Sequence, residues 1–101
     1  MREIPVSIPH ESPDVPSAIV RAAEALSLMV ALNSSLRAYP GSRHWHLRRP
    51  GVAGTLEVTW RPSQERLWVA WHSNRGGDGW VEATAPDLAA AIERELAPIP
   101  Q

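Results

Sequence analysis

The chain has no cysteine, no lysine and no phenylalanine among its 101 residues. Without cysteine there are no disulfides, no thiol nucleophiles and no thiolate metal sites, and a reducing, cytoplasmic setting is expected. Long apolar runs are also missing. The longest, ALSLMVAL (25–32), is far short of the roughly 20 residues needed to cross a bilayer. The amino-terminal MREIPVSIPHESP is acidic and broken by proline where a signal peptide needs a continuous apolar stretch, so none is expected. With lysine absent, all ten basic residues are arginine. Biased base composition accounts for that as readily as selection for guanidinium chemistry does.

What remains is an ordinary globular composition, 44% hydrophobic and 21% charged, enough for one domain with a single core. The net charge of −1 hides a segregation. Between Arg37 and Arg75 there are seven arginines against Glu57 and Glu65, an excess of five positive charges. Elsewhere three arginines face nine acids, an excess of six negative charges. A basic middle between acidic flanks marks an anion-binding surface, or flanks that neutralise the middle on folding.

Prolines at 5, 9, 13 and 16 keep residues 1–16 out of a helix. The alternation of Ile4, Val6 and Ile8 reads as an extended arm or an edge strand. SAIVRAAEALSLMVALNSSLRAYPG (17–41) predicts a long helix, capped by Ser17 or Asp14 and stopped by YPG at 39–41. Its apolar positions are wider than one stripe, since Val20, Leu28, Leu32 and Leu36 add to Ile19, Ala22 and Leu26. That surplus points to a homodimer that buries Val20, Leu28, Leu32 and Leu36 between subunits. RHWHLRR (43–49), GTLEVTW (54–60), RLWVAWH (66–72) and GWVEAT (79–84) read as four strands separated by turn residues. Thr84 and Asp87 then form a capping box for a carboxy-terminal helix with Pro86 in its first turn. The expected fold is therefore α+β, in the order α-β-β-β-β-α, with an antiparallel meander. The arm 1–16 precedes a single domain, 17–101.

If the hairpins close near 51–52 and 63–64, alternation puts Trp45, Trp60 and Trp71 on a core face. The opposite face then carries rows: Arg48, Thr55, His72, Trp80; His46, Glu57, Ala70, Glu82; His44, Thr59, Trp68, Thr84. Three chemistries compete for that face. His44, His46 and Glu57 are candidate metal ligands, but His72 falls two strands away, close to 10 Å at about 4.8 Å per strand. No HExxH or histidine-rich tract is present either. No metal or other cofactor is therefore assigned. Nucleic acid is the second chemistry. Trp68 and Trp80 could stack bases while Arg48, Arg49, Arg61, Arg66 and Arg75 meet phosphates, although Glu57 and Glu82 would repel them. The third is coverage by protein, because tryptophan and arginine are enriched at interfaces and an exposed tryptophan pair would make an apolar patch.

Catalytic machinery has little footing. The carboxylates are scattered, no serine sits in a nucleophile elbow, and RGGDG (75–79) precedes no predicted helix that could hold phosphate. The expectation is a non-enzymatic binding module, a cytoplasmic homodimer that acts through protein–protein contacts and has no membrane association. RNA or single-stranded nucleic acid binding by the basic sheet face is the alternative.

Overall fold

The computed structural model describes residues 2–9, 14–35, 41–72 and 79–97. The fold is α+β, with one five-stranded antiparallel sheet and two helices. In chain order these are β1 (Arg2–Pro5), α1 (Val15–Ala25), β2 (Met29–Ser35), β3 (Arg43–Arg48), β4 (Leu56–Arg61), β5 (Arg66–Trp71) and α2 (Gly79–Leu96). The strands lie in the order β1-β5-β4-β3-β2.

The proline-broken start forms an edge strand. Among the described residues β1 pairs only with β5, Ile4 opposite Val69, and Val6 continues into the core. An edge tolerates Pro5 because one side of the strand needs no ladder bonds. Asp14 then caps α1, accepting from the Ser17 backbone N–H at 3.2 Å and from its hydroxyl at 2.7 Å. These bonds hold the Asp14 carboxyl below its ordinary pKa, the side-chain bond contributing most. Pro16 sits within the first turn, where its missing N–H costs nothing.

The long helix expected over 17–41 is not formed. It divides into α1 and β2 at Ser27, which adopts a left-handed φ of 57°. Ser27 N–H donates to the Glu24 carbonyl at 3.0 Å and Leu28 N–H to the Ala23 carbonyl at 2.9 Å. That pairing is a Schellman motif, usually closed by glycine. Leu28, just beyond it, turns inward and is 6% exposed. Of the apolar residues that suggested an interface, Leu28 is in the core, while the neighbouring Met29 and Val30 are exposed on β2. Val20 is half-buried beside a shallow groove that it lines with Pro16, Ser17, Arg21 and Trp45. The Leu32 side chain and Leu36 lie outside the described residues.

The fourth strand expected at 79–84 is also replaced. Gly79–Leu96 is one helix, with Val81, Thr84, Ala85, Leu88, Ile92 and Leu96 buried at helical spacing. Thr84 is therefore mid-helix and buried, not a cap, and Pro86 lies inside the helix. Pro86 and Glu82 are both exposed, so the Glu82 carbonyl that loses an N–H partner faces water. The strand-like alternation of GWVEAT belongs to a helix read at the wrong period.

The three central strands match the expected register. His46 pairs with Glu57 and Glu57 with Ala70, while His44 pairs with Thr59 and Thr59 with Trp68. Gly51, at φ 83°, turns the first hairpin, and a 3-10 turn over Pro62–Gln64 makes the second. Both helices pack on one face of the sheet, over Trp45, Leu47, Leu56, Val58, Leu67 and Val69. Trp71 joins that core, whereas Trp60 is half-buried against it. No described element covers the opposite face.

Candidate metal centre

On the uncovered face, alternation along β3 points His44 and His46 the same way, and the β3–β4 register sets Glu57 beside them. Their donor atoms converge. His44 Nε2 lies 3.0 Å from His46 Nε2 and 3.2 Å from Glu57 Oε1, and His46 Nε2 lies 3.3 Å from the same oxygen. The two imidazoles meet edge to face at 74°, with centroids 4.8 Å apart. The three side chains are partly sheltered, with exposures of 16%, 34% and 18% for His44, His46 and Glu57.

That triangle has the size of a coordination face. Bonds of about 2.0–2.1 Å to imidazole nitrogen and carboxylate oxygen put tetrahedral donors about 3.3 Å apart and octahedral neighbours about 3.0 Å apart. The observed edges span those two values. Without a cation, the contact between the two Nε2 atoms needs a hydrogen on one of them, and the remaining lone pairs crowd together. With one, all three donor atoms lie close enough together to share it. The other ring nitrogen of His44 is held as well, its Nδ1 lying 2.8 Å from Thr59 Oγ1. Thr59 is 5% exposed. If Nδ1 donates to that hydroxyl, Nε2 is left bare for a ligand role, which is how outer partners set histidine tautomers at metal sites.

The strand count that set His72 apart from the cluster holds for its backbone only. The backbone lies beyond β4, but His72 Nε2 reaches to 3.9 Å from Glu57 Oε2 because both side chains extend across the gap. His72 is 60% exposed and stands at the rim of the cluster. A three-donor set on two adjacent strands does not need it. The signal available in the sequence was the pair of histidines at i and i+2, opposite a glutamate across the β3–β4 hairpin.

Other residues expected on this face separate into two groups. Arg48 is exposed and shares the face of His46 by alternation. Trp68 and Arg66 are also there, the guanidinium carbon stacked 4.7 Å from the indole centroid. Arg49 and Trp80 belong to the helical side instead. Trp80 is in the first turn of α2, its Nε1 donates to the Ala53 carbonyl at 2.6 Å, and Arg49 stacks over it at 4.8 Å. Arg49 also donates to Thr84 Oγ1 at 3.4 Å. Glu82 is on α2 too and pairs with Arg2. The face therefore loses one expected base-stacking tryptophan and one expected repelling acid. Arg75 lies outside the described residues.

Compared with known proteins, the chain matches no family model, no curated protein and no solved structure.

Proposed function

We propose that this domain is a cytoplasmic binding module that holds one divalent first-row transition ion through His44, His46 and Glu57. The supporting observation is the triangle of two imidazole nitrogens and one carboxylate oxygen, with edges of 3.0, 3.2 and 3.3 Å. Imidazole donors suit zinc, copper, iron and nickel, whereas an oxygen-only set would suit magnesium or calcium. The role is one of binding, because the protein's own groups around the cluster supply ligands and a supporting hydroxyl.

Dialysis of metal-free protein against zinc, with metal and protein assayed together, should give one ion per chain. Thr59→Val should weaken zinc about 10–100-fold, the usual cost of losing an outer partner. His44→Ala and Glu57→Ala should weaken it further while circular dichroism shows the fold retained. Stoichiometry well below one, or a His44→Ala variant that binds like the parent, would refute the assignment.

Homodimerisation belongs to the same reading, with its basis moved from the helix to the sheet. Among the described residues β2 pairs only with β3, with a register shift between Val30 and Leu32; its sequence MVALNSS carries no charge, and Met29 and Val30 are 51% and 37% exposed. An uncharged edge strand of this kind favours pairing with a second copy. Sedimentation should show a dimer that Val30→Lys converts to monomer. A parent chain that stays monomeric from micromolar to millimolar concentration removes this component and leaves the metal assignment standing.

A further inference from the structure

We infer that the ion's outward positions take a small oxyanion, a carboxylate or a phosphate group, with Arg48 as its charge partner. This rests on the metal assignment above and names the ligand of the same site. Three protein donors leave at least one position of a tetrahedral ion unfilled, and more of an octahedral one. Those positions point away from the sheet, because all three donors reach outward from a face on which neither helix packs.

Charge selects what fills them. Among the described residues, register places Arg48, Arg61 and Arg66 on this face against Glu3 and Glu57, an excess of one positive charge before the histidines are counted. A divalent ion raises that excess to three. Glu57 directs its charge to the ion, and Glu3 lies in the row of Glu57, two strands away across Ala70. Glu82, expected among these residues from the sequence, is on α2 with Arg2. The field at the open position is therefore that of a cation with Arg48 beside it, Arg61 and Arg66 lying four residues farther along β4 and β5.

Arg48 is the arginine on this face nearest to the donors along β3. It follows His46 by two residues on the same face, about 6.6 Å farther along the strand. That offset lets a guanidinium meet an oxygen of a ligand whose other oxygen is bound to the ion. A planar fork of N–H donors matches carboxylate and phosphate geometry, and a neutral ligand would gain nothing from it. His72 stands at the same end of the cluster, its Nε2 3.9 Å from Glu57 Oε2, and bounds the space from the β5 side.

The test uses the full chain loaded with cobalt(II), whose visible bands report the ligands on the ion. Acetate and inorganic phosphate are titrated separately into the parent and into Arg48→Gln. The parent's bands should change saturably with at least one anion, and the tighter of the two identifies the group as carboxylate or phosphate. Arg48→Gln should weaken that anion about tenfold, one charge-assisted contact, with cobalt affinity unchanged within about twofold. Bands that ignore both anions overturn this inference and leave the metal site intact. So does an anion affinity untouched by Arg48→Gln. A response to single-stranded oligonucleotide but to neither small anion assigns the face to nucleic acid and overturns the small-ligand proposal. Absence of cobalt bands altogether overturns the metal assignment and this inference together.

Discussion

Replacing Trp45 by alanine should destabilise the fold by about 3–5 kcal/mol, the range for deleting a large buried aromatic side chain. Trp45 is 0% exposed, sits on the central strand pair opposite Val58, and is among the largest fully buried side chains. No neighbouring side chain in a core of this size can expand to fill the space. The indole N–H adds a second test. Trp45 Nε1 is buried and has no hydrogen-bond partner among the described residues, so its apolar bulk matters more than its polar atom. Trp45→Phe, which keeps most of that bulk and deletes the N–H, should cost less than about 1.5 kcal/mol. Urea unfolding of both variants separates volume from hydrogen bonding, and equal losses would show that the indole nitrogen has a partner. Trp68→Ala, on the uncovered face under Arg66, should cost only about 1 kcal/mol.

The second large effect is a linkage. An ion that binds the folded chain and not the unfolded one stabilises it by about 2.7 kcal/mol when free metal is about a hundred times its dissociation constant. For a domain of this length each kcal/mol is worth about 4–8 °C, so the melting temperature should rise by about 10–20 °C. The donors come from β3 and β4, whose pairing in register holds the triangle together. An unfolded chain has no such arrangement. His46→Ala should remove the response while lowering the metal-free melting temperature little, since His46 is only partly sheltered. A zinc-induced rise that persists in His46→Ala would place the ion elsewhere.

The β3–β4–β5 part of the rows on the uncovered face was legible because its registers depend on two hairpins with strong local turn signals. Pro50-Gly51 and Pro62-Ser63 fix where β3, β4 and β5 reverse, and a two-residue side-chain period does the rest. His44, His46, Glu57, Thr59 and Trp68 consequently lie where alternation puts them. The break between α1 and β2 was not legible. Ser27 takes a conformation that normally advertises itself as glycine, and the residues on either side are as apolar as a helix core. The start of α2 was hidden by Pro86, which reads as a first-turn residue and instead lies well inside the helix. The metal donors were visible in the sequence, but backbone spacing alone understates how closely they meet. Side-chain reach, long for glutamate and histidine, decides whether such residues touch.

The pairing pattern also sets an order of assembly. His44 and Glu57 are separated by thirteen residues and joined by one hairpin, so the ion's cradle needs only a short loop to close. β1 must instead find β5 across the chain, Arg2 opposite Trp71. Closing the longer loop costs more entropy, and contacts of that separation form late. The cradle should therefore be complete while the amino-terminal strand is still free. An ion captured at that stage acts on a half-built sheet, biasing the chain toward the one hairpin register that the rest of the fold requires.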